Sequence, residues 1–340
     1  MSERMYEEAG TSKGAAEAGE SWQPPFPLDQ VAEQPAREQP GAIEVAGSPA
    51  PQARQSPAPQ IQRPARGLIG WMARDAAIRF LNGNTADGVA SSEQQTAIEA
   101  ARRAVSEREE FHESADVVSE AGAELGPYVE QLRSDPAPSQ LLGSGWAVAM
   151  VDLKRVIAFQ PTVFSDSTTE RVAGVDPSSL ESIARVTLPI TAPELLPVQF
   201  DPARKCFHIV SRNPNLQAVQ PFVGPVTTPQ GIISVIGFVV GAPTSFLVVG
   251  EFDGRYYLRD GYHRAYGLLY AGISTVPALV RHIDTIEELV PQGMLPQAAY
   301  RGSRPPFVVD YLDHVVAANA LLPAQQKLVA IQALELSPVI

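Results

Sequence analysis

Cysteine is all but absent from this chain: Cys206 is the only one in 340 residues. That excludes an internal disulfide framework and a four-cysteine zinc site, and it points to a reducing, cytoplasmic setting. Cys206 sits in the alternating stretch Lys-Cys-Phe-His-Ile-Val, which reads as a strand with a buried structural thiol. Positive charge is also in short supply. Lys and Arg total 26 against 38 Asp and Glu, giving a formal charge of −12 and a pI near 4.9. Broad binding to nucleic acid or to an anionic membrane is excluded by that balance, which leaves small anions held locally, or proteins, as partners. The start of the chain, Met-Ser-Glu-Arg-Met-Tyr-Glu-Glu, has neither the basic residues nor the apolar core of a secretory signal. The uncharged stretch Ile232 to Val249 is interrupted by Gly237, Gly241 and Pro243, so it reads as two buried strands around a turn and not as a membrane span.

Large apolar residues are scarce in residues 1–67, which are rich in Pro, Gln, Ala and Glu. Such a segment cannot offset its ordering entropy by burial and reads as a disordered tail. Trp22-Gln-Pro-Pro-Phe26 within it is either a short docking motif or an incidental aromatic pair. Elsewhere the hydrophobic fraction of 44% is ordinary for a globular protein and allows a sizeable core.

Three further regions follow. Residues 68–135 read as helical: Ile69, Met72, Ala76 and Phe80 have helical spacing, and Ser92-Glu-Gln-Gln95 is a capping box opening a helix to about His112. A second helix is expected over Ala115 to Leu132, bent or split at Gly126-Pro127. From Glu93 to Asp135 there are eleven acidic and four basic residues, −7 of the −12, as expected of an acidic helical hairpin with a solvated face or a protein-docking surface. His112 lies among Glu109, Glu110 and Glu113 at metal-ligand spacing, but no second histidine supports it, and it reads as solvated.

Residues 145–283 change to short β-rich segments, an α+β domain. Candidate strands are Trp146–Val151, Val156–Phe159, Val186–Ile190, Val198–Phe200, Phe207–Val210, Ile232–Val240 and Phe246–Val249, with a short helix over Leu180–Val186. His208 is expected to face solvent or a partner strand, and His282 follows the last strand. Residues 284–340 are expected to be helical, over Phe307–Ala320 and Pro323–Leu336, with no role assigned to His314. Basic residues there are too sparse for a DNA-reading helix.

The densest signals lie in residues 245–281. Phe246–Val249 is β-branched and apolar, Asp253-Gly254 is a hairpin turn, and Arg255–Leu258 starts the return strand. Asp260-Gly261 then breaks the strand, a helix runs to Gly272, and one more strand follows. Asp-Gly-Tyr-His-Arg, Asp260 to Arg264, therefore opens a helix, where free backbone N–H groups and the positive dipole end favour anions. Gly261 would allow close approach of a ligand, His263 could donate a hydrogen bond or move a proton, and Arg264 could grip two phosphate oxygens. Asp260 could cap the helix, orient His263 or hold a metal.

Asp260 to Arg264 on a hairpin, helix and strand resembles the ParB/sulfiredoxin superfamily, whose members carry Gly-Glu-Arg-Arg, Gly-Cys-His-Arg or Asp-Gly-His-His-Arg at this point. The continuation Ala271 to Val280 is similar as well, and Val151 to Gln160 resembles the family's first strand and box. The resemblance implies a mixed sheet with short helices, and a role in binding nucleotide phosphates for Gly261, Tyr262, His263 and Arg264. Tyr262 is the departure. Tyrosine cannot take part in the sulfinic phosphoryl ester and thiosulfinate chemistry of the reactive cysteine in sulfiredoxins, and the glutamate of the partitioning proteins is missing; the free serine kinases, with histidine there, are the nearest variant. Gln160, Asp166 and Arg171 lie in a loop resembling the upstream box. The expected ligand is ATP, ADP or CTP with Mg²⁺, with His263 as general acid or base and Asp260 orienting it. The alternative is a non-catalytic regulatory or interaction module on the same scaffold, recruiting proteins through the tail and the acidic helices.

Overall fold

The computed structural model describes residues 61–85, 88–113, 115–191, 196–211, 213, 215–291, 293–324 and 327–332. Most of the expected tail, Trp22 and Phe26 included, lies outside the described residues. The described part belongs to one unit. In chain order it runs β1 (Gln62–Gly67), α1 (Arg74–Leu81), α2 (Ser92–Glu107), β2 (Val118–Glu120), α3 (Gly126–Ser134), α4 (Pro136–Gly143), β3 (Ala147–Asp152) and β4 (Thr162–Phe164). Then come α5 (Ser165–Val172), α6 (Leu180–Thr187), β5 (Gln199–Asp201), β6 (Cys206–Ser211), β7 (Gln217–Thr228) and β8 (Gly231–Gly241). The chain continues through β9 (Val248–Phe252), β10 (Arg255–Asp260), α7 (Tyr262–Tyr270), β11 (Thr275–His282), α8 (Gln297–Arg301), β12 (Ala318–Pro323) and β13 (Lys327–Gln332). The α+β class expected from the sequence is what the structure has.

The central sheet is five-stranded, in the order β10-β9-β11-β3-β2. β9 and β10 form the expected hairpin: Asp253 and Gly254 both take positive φ, 54° and 67°, as a two-residue turn of this hand requires. α7 then carries the chain over to β11, which pairs parallel to β9 and antiparallel to β3. The end of α7 is a Schellman motif. Gly272, at φ 82°, donates to the Leu269 carbonyl and Ile273 donates to that of Leu268, so the orphan carbonyls are satisfied where the glycine was expected to stop the helix. Val151, Leu153, Ile157, Val249, Leu258, Leu268 and Val276 are all buried beneath this sheet and helix.

A second sheet of three strands, β12-β1-β4, ties the two ends of the described chain together. Here the expectations need correcting. The tail assigned to residues 1–67 gives up Gln62–Gly67 to an ordered central strand, held by antiparallel ladders on both sides. Arg66 anchors it: the buried guanidinium donates to the carbonyls of Tyr311 (2.6 Å) and Asp313 (3.0 Å), and bonds to Asn319 and to His314 Nδ1. The helix expected from Leu68 begins only at Arg74; of its expected apolar stripe Ile69, Met72 and Phe80 are buried and Ala76 is half-buried. Likewise Phe307–Ala320 and Pro323–Leu336 are not helices. A 3₁₀ turn at Val308–Leu312 leads into β12, and β13 pairs with β6; the last eight residues lie outside the described residues. The open edges of β1 and β6 supply ladder hydrogen bonds that outweigh the weak helix preference of an Ala- and Leu-rich stretch.

The acidic helical hairpin has one of its two arms. α2 is capped by a box one residue earlier than expected, Ser91 Oγ accepting from the Gln94 amide while Gln94 Oε1 accepts from that of Ser91. It ends at Glu107, short of His112. The expected second helix from Ala115 is instead a 3₁₀ turn, strand β2 on the edge of β3, another 3₁₀ turn, and α3, with Pro127 starting that helix instead of splitting one. Two other expected strands fail. α6 runs through to Thr187 and absorbs part of Val186–Ile190, and Val156–Phe159 contributes only isolated bridges from Ile157 to Tyr257 and Phe307. β7 was not expected, because Pro221 and Pro225 interrupt its β-pattern. β8, expected to be buried, is largely exposed.

Candidate functional site

The corner that starts α7 is set by one close backbone approach. Gly261 is the N-cap residue in the left-handed region, at φ 92°, and a Cβ there would lie 2.8 Å from Leu247 Cα and 3.2 Å from the Phe246 carbonyl oxygen. The glycine is therefore needed for the crossing of two protein segments. Asp260 Oδ1 accepts from the Gly261 amide at 2.6 Å, and no side chain caps the helix. Asp260 thus neither caps α7 nor orients His263. The amides of residues 262–264, in the first turn, have no carbonyl four residues back to bond within the helix.

Tyr262 turns inward and is a further correction. Its hydroxyl accepts from the amides of Phe159 (3.0 Å) and Gln160 (3.3 Å), and its ring packs edge-on against Phe159 and Tyr311. Burial pushes the phenol well above its ordinary range, so it is a neutral structural post on the interior side of α7. The tyrosine fastens α7 to the chain that follows β3.

His263 points the other way. Its ring lies parallel to that of Phe164, at 6.2 Å between centroids, and Nε2 is buried with no partner in the structure. Burial pulls its pKa down to about 4, helped by the positive charges of Arg171, Arg63 and Arg264 and opposed by Asp166. The imidazole is neutral at pH 7, which corrects the expectation of a histidine titrating near neutrality. Arg264 Nη1 donates to the carbonyl and the hydroxyl of Ser245, and burial, with Arg171 nearby, lowers its pKa to about 10. One nitrogen of its fork is therefore already engaged by the protein.

Two of the three upstream residues come to this corner. α5 lies close across α7, where a Cβ on Gly267 would stand 2.8 Å from Val172 Cγ1 and 3.0 Å from the Thr168 carbonyl. That brings Arg171 near both His263 and Arg264. Arg171 is half-buried and makes no hydrogen bond or ion pair among the described residues. Asp166 receives a two-pronged bond from Arg63, 2.8 Å to each oxygen, and Arg63 also bonds Ser167 and covers the Phe164 ring at 4.3 Å. That pair holds the Asp166 carboxyl below its ordinary range and raises the guanidinium. Gln160 is structural: its carbonyl accepts from Tyr311 and its side chain donates to Thr162.

Arg63 is the member that sequence reading missed. It lies in the stretch taken for tail, and Pro64 beside it masks the strand. The available signal was its nearness to Leu68 and Ile69, which any helical reading of 68–81 buries.

The other candidates stay apart. His112, Glu109, Glu110 and Glu113 line a cleft of about 360 Å³ together with arginines, and among the described residues no group of three or more His, Cys, Asp or Glu could hold a metal. A second cleft, of about 270 Å³, lies between Ile286 and Tyr300, also away from Gly261. Cys206 is half-buried, not buried, and bonds the Phe207 carbonyl. His208 bonds Gln199 on the partner strand, as expected, while His282 pairs with Glu251, whose hydrogen bond raises the imidazole. No helix among the described residues is long and apolar enough to cross a membrane. Comparison of the chain with family models, curated proteins and solved structures finds no match.

Proposed function

We propose that the corner at the start of α7 binds the phosphates of a nucleotide, ATP, ADP or CTP, on a ParB/sulfiredoxin-like domain. The observation that carries this is Arg171: a half-buried guanidinium with no ion-pair partner among the described residues, beside the buried Nε2 of His263, likewise unpartnered among them, at the positive end of a nine-residue helix. Arg63, Arg171 and Arg264 gather there with three carboxylates, Asp166, already paired with Arg63, Glu170 and Asp260. A guanidinium that no carboxylate pairs among the described residues leaves room for an anion, and a phosphate would meet helix amides, a guanidinium fork and an imidazole N–H together. Mg²⁺ would come with the phosphates, with exposed Asp260 the carboxylate free to hold it, since Asp166 is engaged by Arg63.

Binding comes first in this reading. A histidine neutral at pH 7 with Asp260 turned away is poorly placed as a general acid, which favours a nucleotide-gated module over a turnover enzyme. A bound dianion would raise the imidazole again, and hydrolysis or phosphate transfer would then use His263. The half-buried free thiol of Cys206 suits a cytoplasmic setting.

Calorimetry with each nucleotide, with and without Mg²⁺, tests the site. Saturable binding should weaken about 10- to 100-fold in Arg171→Ala, the loss of one charge-assisted contact, with unfolding unchanged. No heat with any nucleotide on the folded protein would sink the reading. Turnover lost in His263→Ala would mark an enzyme, and binding without turnover a switch.

A further inference from the structure

The hairpin of β7 and β8 is built unlike the rest of the molecule. Residues 217–241 contain no Asp, Glu, Lys or Arg in a chain of net charge −12. Among the described residues its two strands pair only with each other. Its apolar side chains stand in solvent: Val223 is 74% exposed, and Ile232 and Ile236 76% each. A two-stranded ribbon is marginal in water by itself, and further strands are what stabilise one.

The two edges of the ribbon differ. Thr228 pairs with Gly231 across a two-residue loop, and such a flanking pair is hydrogen-bonded. Alternation along the ladder then places Pro221, opposite Phe238, and Pro225, opposite Ser234, at positions whose backbone nitrogen faces away from β8. The outer edge of β7 is thereby blunted by missing donors, as edge prolines do. On β8 the outward-facing positions are Ile232, Ser234, Ile236 and Phe238, with every N–H present. The irregularity in the ladder falls between Ala218 and Gln220 on β7. An edge without proline or charge is a template for another strand.

Charge decides which strand. Two acidic copies repel wherever their carboxylates meet, and β8 is a place where they can approach with no like charges opposed. A strand laid antiparallel to itself across a two-fold axis offers the same residues from both sides, as an isologous contact requires. We propose that β8 pairs with β8 of a second copy, antiparallel about an axis near Ile236, so that the two ribbons form one four-stranded sheet. The prolines of β7 then lie on both outer edges and stop growth at the dimer.

Light scattering of the full chain across a dilution series tests this. The expected mass is twice the 36.5 kDa of one chain, falling toward one chain on dilution. Ile236→Pro removes an outward N–H of β8 without touching the β7 ladder and should give the single-chain mass. Val223→Pro, opposite it on the other edge, should stay dimeric. Ile236→Lys, which leaves the backbone intact and places like charges across the axis, should also be monomeric if the proline variant fails to fold. A wild-type protein that is monomeric throughout overturns the proposal, as do a dimer surviving both Ile236 variants or one lost in Val223→Pro with its circular dichroism unchanged. So does a monomer that floats with neutral phosphatidylcholine vesicles, which would assign the ribbon to lipid.

Discussion

At the start of α7 an imidazole nitrogen is buried, and the half-buried Arg171 guanidinium stands, without a hydrogen-bond partner among the described residues, whereas along β8 three isoleucines and a phenylalanine stand in water. Both regions are unfinished, in opposite senses. The corner is fixed by the backbone crossing at Gly261 and by rings against Tyr262 and His263, so the missing element is charge. The ribbon is satisfied in its internal ladder and carries no charge, so the missing element is a surface to lie against. A buried polar group left unpaired costs about 1–3 kcal/mol, while exposed apolar area is repaid at only about 25 cal/mol per Å². The corner therefore asks for a small ligand of specific shape and sign, and the ribbon for an extended partner.

The firmness of the corner is the half of this contrast easiest to break. Gly261→Ala must place a Cβ 2.8 Å from Leu247 Cα while holding φ at 92°. The left-handed conformation costs about 1–2 kcal/mol, and moving packed backbone costs about 1–3 more. A loss of about 3 kcal/mol in urea unfolding is expected. Gly272→Ala at the other end of the same helix, at φ 82° with nothing within 4 Å, should lose only about 1 kcal/mol. Equal losses would show that the crossing at Leu247 is not what fixes the corner.

The second effect is one of pH. His263 titrates at about 4 in the folded protein against an ordinary 6.5. Above about pH 6.5 it is neutral folded or unfolded and contributes no pH dependence. As pH falls from 6.5 to about 4 the unfolded chain takes up a proton that the folded one refuses, and stability is lost, by at most about 3 kcal/mol. Below that window both forms are protonated and the loss stops growing. Asp166, held below its ordinary value, loses its contribution at still lower pH. The difference between wild type and His263→Gln in that window isolates the imidazole, and phosphate should shrink it, because a bound anion returns the proton to the ring. An unchanged pH profile in His263→Gln would mean that the ring is solvated and that the corner resembles the ribbon more than it differs from it.

The legible part of this molecule is the part written in local chemistry. Asp253-Gly254, Gly261 and Gly272 announce a turn, a corner and a helix end from conformational demands that few other residues meet, and all three fall where they were expected. Illegible were the segments whose structure is decided from outside. Gln62–Gly67 and Ala318–Pro323 become strands because each finds the other across more than 250 positions of sequence, and neither has a pattern that says so. The site was read in the same way. Arg264 and His263 were visible as a motif, but Arg63 reaches them only through β1, and the inward turn of Tyr262 depends on the Phe159 and Gln160 amides waiting opposite it. β8 was read as buried because alternation of apolar residues reports a strand and cannot report whether a partner layer exists.

Tyr262→Phe separates the two faces of α7 most finely. The substitution keeps the ring against Phe159 and Tyr311 and removes only the hydroxyl, leaving the Phe159 amide and, in part, that of Gln160 without an acceptor. The expected loss in stability is about 1–2 kcal/mol, the smallest of the three, since Gln160 is only half-buried and water can reach its amide. Nucleotide affinity should stay within about twofold of wild type, because the hydroxyl lies on the interior side while His263 and Arg171 face the other way. Stability falling with affinity intact would show that Tyr262 serves the architecture of α7 and not its ligand. Affinity falling in step with stability would mean that the phosphate reaches through to the tyrosine, and the division of α7 into a structural face and a ligand face would have to be abandoned.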